Sequence, residues 1–237
     1  AASAGEGELL FSAGKGGKLR RWGAGLRPCG TIDLRDPLAA LTDAWGRPLL
    51  SRGDSPAIRS LDIDAAGRLL LATSGGEVAV LVPSSGELSL LLQGHSARRG
   101  AKWPGKLNAL ATHPTKPLAA TAGAEGALRL WSLSQHTLLA ARPLPAAAAA
   151  AAFSPDGNYL AVGLADGGWL LLASDSLKPV DGAATAAAHA PMAERAARGA
   201  VGCIAFSPDG AMLAIGGADG GVTICAHVSG GWSGGWH

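Results

Sequence analysis

Short apolar runs alternate with turn-forming residues along this chain, and the alternation repeats. Residues 152–163 read Ala-Phe-Ser-Pro-Asp-Gly-Asn-Tyr-Leu-Ala-Val-Gly, and residues 205–216 read Ala-Phe-Ser-Pro-Asp-Gly-Ala-Met-Leu-Ala-Ile-Gly. Both copies continue through Ala-Asp-Gly-Gly, at 165–168 and 218–221, into a further apolar run, 169–172 and 222–225. Looser copies lie upstream at 61–81 and 107–131, and a shortened one at 9–22. Each copy predicts strand, Pro/Asp/Gly turn, strand, Gly turn, strand. Proline presets φ at the second turn position, Asp bonds its own backbone, and Gly supplies positive φ. The runs are short and partly β-branched, which suits strands buried on both faces and is too short for ordinary helices.

Aligning the turn glycines gives Gly17, Gly76, Gly126, Gly167 and Gly220, spaced by 59, 50, 41 and 53 residues. The shortest spacing approaches the ~40–45 residues of a four-stranded propeller blade. A blade cannot bury both faces alone and must stack on its neighbours. The fold class expected is therefore all-β, a β-propeller with about five blades present, part of a larger or tandem propeller. The blade-like units fall at about 5–24, 58–82, 107–133, 147–173 and 201–228, with inter-blade loops at 23–57, 94–106 and 179–200. The tract 146–152 is all alanine, which by propensity favours helix. Its place just before a Phe-Ser-Pro-Asp-Gly turn makes it a strand in this scheme.

The units resemble WD repeats: Gly94-His95 is followed, about 36 residues on, by Trp131. No Trp-Asp dipeptide occurs, and Ser132 follows Trp131. In that repeat type a His, a strand Ser/Thr, a turn Asp and the Trp form a buried hydrogen-bonded set. The resemblance puts His95, Thr121, Glu125 and Trp131 in those places, with Glu for Asp, as a structural blade network. A narrower resemblance rests on Leu-Leu-Gln-Gly-His at 91–95, Leu-Asn-Ala-Leu-Ala-Thr-His-Pro at 107–114, Leu-Arg-Leu-Trp-Ser-Leu-Ser at 128–134 and Leu-Ala-Val-Gly at 160–163. In this order the blocks resemble the echinoderm microtubule-associated protein-like family, over about 9–225. That resemblance implies atypical tandem WD-repeat propellers that bind tubulin or microtubules, including ciliary ones.

Composition narrows the rest. Hydrophobic residues make up 48% and charged residues 16%, so the chain can bury a core and is no disordered tail. No run of ~18 apolar residues occurs, so no membrane-spanning helix and no membrane partner is expected. No secretory signal opens the chain, and its start on Ala1 reads as a piece of a longer protein. The three cysteines, Cys29, Cys203 and Cys225, form no CxxC pair and read as small buried core residues of a reducing compartment. Six scattered histidines lack ligand spacing, so no metal is expected.

No catalytic motif of the G-x-S-x-G, HExxH, EF-hand or GxGxxG type is present, and no cofactor is expected. The segment 100–107 has phosphate-loop spacing as far as Lys106, but Leu107 stands where Ser/Thr would hold magnesium. Asp62 and Asp64 lie at an apparent strand end beside a turn, where turn solvation is expected rather than acid–base work. Residues 1–142 hold 17 Lys+Arg against 11 Asp+Glu, and residues 143–237 hold 3 against 7. Within the basic part, Arg98, Arg99, Lys102 and Lys106 surround Trp103, a candidate partner-binding loop for an acidic protein surface such as tubulin. The near-balanced net charge of +2 argues against nucleic acid. The expected function is a non-enzymatic microtubule-associated scaffold of the cytoplasm and cytoskeleton, extending to the cilium or flagellum axoneme, with tubulin, microtubules and axonemal proteins as partners. The alternatives are a general WD-repeat adaptor in a signalling or trafficking complex, and a propeller enzyme using its central channel.

Overall fold

The repeated turns fold the chain into antiparallel meanders. The computed structural model describes residues 2–4, 9–41, 57–73, 76–93, 107–180, 199–228 and 231–236. The five aligned turn glycines, Gly17, Gly76, Gly126, Gly167 and Gly220, all take positive φ, between 64° and 92°. Each lets the chain reverse tightly between two strands without a Cβ penalty. The chain divides into two compact units, Ala1–Asn108 and Ala109–His237.

In the first unit, strands β1 (Ala2–Ala4), β2 (Leu9–Ala13), β3 (Lys18–Gly23) and β4 (Arg27–Asp33) form one sheet in chain order. Strands β5 (Ile58–Ile63), β6 (Leu69–Thr73), β7 (Glu77–Leu81) and β8 (Leu88–Gln93) form a second. Phe11 and Leu19 of the first sheet pack against Leu69, Leu71, Ala79 and Leu81 of the second. A short helix, α1 (Arg35–Ala40), adds Leu38 to the same core. The β5 backbone is tied to the first sheet's turn by the Ile58 amide, which donates to the Gly14 carbonyl at 3.2 Å.

The second unit begins inside β9 (Leu107–Thr112), which pairs with β10 (Leu118–Gly123), β11 (Ala127–Ser132) and β12 (Thr137–Pro143). Next come β13 (Ala148–Phe153), β14 (Tyr159–Leu164) and β15 (Trp169–Ala173), then β16 (Val201–Phe206), β17 (Met212–Gly217), β18 (Val222–Val228) and β19 (Gly231–Trp236). The β13–β15 sheet is packed on both faces. Leu160, Val162, Leu170 and Leu172 meet Ala120, Ala122, Leu128 and Leu130 of the sheet before it. Ala161, Trp169 and Leu171 meet Val201, Leu213, Ile215 and Cys225 of the sheet after it. Alternate residues of one strand therefore serve two interfaces, which explains its unbroken apolar sequence. On the far face of the last sheet, Met212 and Val222 remain about half exposed. The fold is all-β and of propeller type.

The alanine tract is strand from Ala148 onward, as its position before the turn requires. Other boundaries differ from the sequence reading. Residues 23–57, read as loop, contain β4 and α1. Strands β8, β12 and β19 likewise extend beyond the three-strand units at 58–82, 107–133 and 201–228. In the 147–173 unit the sheet gains, among the described residues, a single bridge, Leu172 to Pro179, at the start of the expected 179–200 loop. The loop 94–106, with its phosphate-loop-like segment, and residues 181–198 lie outside the described residues. Among the cysteines Cys225 is buried as expected, but Cys29 and Cys203 are exposed, because Cys29 sits on the outer strand β4 and Cys203 on the far face of the last sheet.

Candidate functional site

The sequence Gly-Ala-Glu-Gly-Ala-Leu-Arg-Leu-Trp at 123–131 folds as a turn between β10 and β11. Its two strands pair so that Thr121 lies opposite Arg129 and Ala119 opposite Trp131, placing all four on one face. There the Trp131 indole Nε1 donates to Thr121 Oγ1 at 2.7 Å, and both residues are buried. A buried indole N–H needs such an acceptor. One turn residue away, Arg129 donates to Glu125 at 2.6 Å. This ion pair is about a quarter exposed on each side, so it orients the turn more than it stabilises it. The first sheet repeats the arrangement: Trp22 Nε1 donates to Ser12 Oγ at 2.8 Å. In the second sheet Thr73 instead donates to Glu77 across the turn.

The Pro-Asp-Gly turns form a second repeated feature. Ser154 donates to Asp156, which also receives the Asn158 amide at 3.0 Å. Ser207 and Asp209 do the same with Ala211. Hydrogen bonds from the serine hydroxyl and backbone hold both aspartates below their ordinary pKa, against desolvation at Asp156. Asp64 receives the Ala66 and Arg68 amides and the Arg68 guanidinium at 2.7 Å. These carboxylates are spent on backbone turns, as expected for Asp64, whereas Asp62 lies within β5 opposite Leu70.

Between the β9–β12 and β13–β15 sheets sits His113, 1% exposed. Its Nδ1 accepts the Thr115 and Lys116 amides at 3.2 and 3.0 Å, and its ring tilts against Phe153 with centroids 5.3 Å apart. The ring edge lies over Gly157, where a Cβ would come within 2.3 Å of Cε1. Burial, then the nearby Lys116 charge, lowers its pKa, with the Gly157 backbone and Asp156 acting the other way. Sequence reasoning counted His113 among scattered histidines. Its signal was the Ala-Thr-His-Pro block, which places it where the strand leaves the sheet.

The sequence-derived site residues are thus divided. Thr121 and Trp131 are brought together, and Glu125 lies one turn away beside Arg129. His95 and the basic cluster Arg98, Arg99, Lys102, Trp103 and Lys106 lie outside the described residues. No helix among the described residues is long and apolar enough to cross a membrane.

Antiparallel meanders packed face to face within each unit, with a Trp-to-hydroxyl bond recurring in the first and third sheets, define a WD-repeat protein of the propeller class. The family model described as "WD domain, G-beta repeat" matches residues 193–225, which include β16, β17 and the start of β18. Among curated proteins the chain is similar to human Echinoderm microtubule-associated protein-like 2, 37% identical over 131 residues, or 55% of this chain and 17% of that protein. The mouse counterpart is 36% identical over the same length. Human Echinoderm microtubule-associated protein-like 3 aligns over 90% of the chain at 26% identity, and over 20% of its own length. The chain thus spans about a fifth of these relatives or less. These similarities support an echinoderm microtubule-associated protein-like WD-repeat chain, the resemblance that the sequence blocks carried.

Proposed function

We propose that this chain belongs to a non-enzymatic, microtubule-associated scaffold, with its sheets forming part of a larger propeller. The observation that carries the reading is its similarity to Echinoderm microtubule-associated protein-like 2 over more than half its length. The half-exposed apolar face of the last sheet, with Met212 and Val222, supports the larger propeller. Loops on such a rigid scaffold are where recognition concentrates. The loop bearing Arg98, Arg99, Lys102, Trp103 and Lys106 presents cations and one aromatic anchor to an acidic tubulin surface. The setting is the cytoplasmic cytoskeleton, with axonemal microtubules and their associated proteins as the specialised target.

The test is microtubule co-sedimentation of the chain at low and moderate salt. Charge reversal at Arg98, Arg99, Lys102 and Lys106 should release it to the supernatant. Pelleting that these changes leave untouched removes the loop from the reading. No pelleting of the unaltered chain favours a general WD-repeat adaptor instead.

A further inference from the structure

The first and third sheets align residue by residue through their β-turns. Gly14-Lys15-Gly16-Gly17-Lys18-Leu19-Arg20-Arg21-Trp22 corresponds to Gly123-Ala124-Glu125-Gly126-Ala127-Leu128-Arg129-Leu130-Trp131. The geometry agrees with the sequence. The Gly17 amide donates to Gly14 O at 3.2 Å and the Gly126 amide to Gly123 O at 3.2 Å. The carbonyls of Gly17 and Gly126 each accept a later amide, from Leu34 and Leu144, at 2.8 Å. The Trp22–Ser12 and Trp131–Thr121 bonds occupy the same place. So do the register shifts on the following strand, between Arg21 and Trp22 and between Leu130 and Trp131.

One difference carries chemical weight. Arg129 is neutralised by Glu125, four residues before it. Arg20 keeps the cation, but Gly16 stands where the carboxylate was. Among the described residues no carboxylate lies within ion-pair distance of Arg20. Asp33, opposite Lys18 in the sheet register, is taken by Arg35, whose Nε lies 2.9 and 3.1 Å from its two oxygens. Where the missing carboxylate would sit there is a depression of about 270 Å³ lined by Ser12, Ala13, Gly14, Gly16, Lys18 and Arg20. Ser12 Oγ accepts from Trp22, so its own proton remains to be donated. A Cβ on Gly14 or Gly16 would meet nothing within 4 Å, so the floor of the depression is open.

From this we infer that the β2–β3 turn is a docking site for a glutamate side chain of an acidic peptide segment, which supplies in trans the carboxylate that Glu125 supplies within the third sheet. Arg20 and Lys18 provide the charge and Ser12 a hydroxyl donor. The inference does not rest on the microtubule reading, since its template is internal to the chain.

The experiment is an amide NMR titration of the full chain with a short peptide of alternating Glu and Gly, with its Gln/Gly counterpart, and with inorganic phosphate. The Glu peptide should shift the amides of 12–20 and the Gln peptide should not. Arg20→Gln should weaken binding about fivefold, the scale of one exposed ion pair. Gly16→Glu places a carboxylate four residues before Arg20, as in the third sheet, and should weaken peptide binding at least as much. Gly16→Gln, of the same bulk, should bind like the unaltered chain and controls for fold and sterics. Gly16→Glu binding as well as Gly16→Gln overturns the inference. So does phosphate that shifts the same amides at lower concentration than the peptide.

Discussion

Replacing Gly157 with alanine tests how tightly one sheet is seated on the next. Gly157 has φ of 74°, a conformation that costs a residue with a Cβ about 1–2 kcal/mol. The new Cβ would also lie 2.3 Å from His113 Cε1 and 2.6 Å from Nε2. His113 is 1% exposed and pinned through Nδ1 by two amides, so the ring cannot swing away. Overpacking of this kind adds about 1–3 kcal/mol, for a total of about 2–5 kcal/mol. Gly210 supplies the control. It holds the same turn position in the last sheet at φ of 72°, with its amide bonded to Ser207 O as that of Gly157 is to Ser154 O, at 2.9 Å in both. A Cβ there meets only Pro155 Cδ, at 3.8 Å. Gly210→Ala should therefore cost only the backbone part. Urea unfolding followed by tryptophan fluorescence reads both. In a His113→Ala background the extra cost of Gly157→Ala should vanish, which a double-mutant cycle measures. Equal losses at Gly157 and Gly210 would refute the reasoning.

Three further outcomes follow from the same contacts. Gly163→Ala drives a Cβ to 2.4 Å from Val201 Cγ1, so it should lower the thermal midpoint, and adding Val201→Ala should restore part of the loss. Leu128→Ala, at a fully buried site, should cost about 2–5 kcal/mol in denaturant unfolding, whereas Leu138→Ala, half exposed, should cost under about 0.5 kcal/mol. Because His113 titrates below its ordinary 6.5 when folded, the unfolded chain binds the proton first as pH falls. Stability should be full above about pH 6.5 and decline below it, and His113→Gln should flatten that decline in midpoint measurements across pH.

The inner strands were legible because their turns are chemically explicit: each Ser-Pro-Asp-Gly or Asp-Gly-Gly block marks a reversal, and the runs between are apolar on both faces. The outer strands were not. Every described side chain of β4 is exposed, and β12 is exposed at most positions although it carries the apolar run 138–141, so neither shows the buried pattern of an inner strand. They are held by backbone pairing to the strand inside them, which leaves little trace in residue type. Helix α1 was hidden for a different reason: it is six residues long and contributes chiefly Leu38. Trp131 and Thr121 were paired through the resemblance to WD repeats, and the structure joins the indole to the hydroxyl on the neighbouring strand. The seating of His113 over Gly157 joins two sheets, and nothing within either segment alone reveals it. The Gly16-for-Glu125 difference was present in the sequence but gained meaning only when both turns proved to share one geometry.

Within each compact unit, successive sheets pack face to face in chain order. This packing is tested most directly by through-space proton contacts in solution, from Val201 methyls to the Gly163 α-protons and from His113 Hε1 to the Gly157 α-protons. Face-to-face packing requires strong cross-peaks at both pairs, each joining one sheet to the next. Absence of both, with Val201 and His113 contacting only residues of their own sheets, would contradict it.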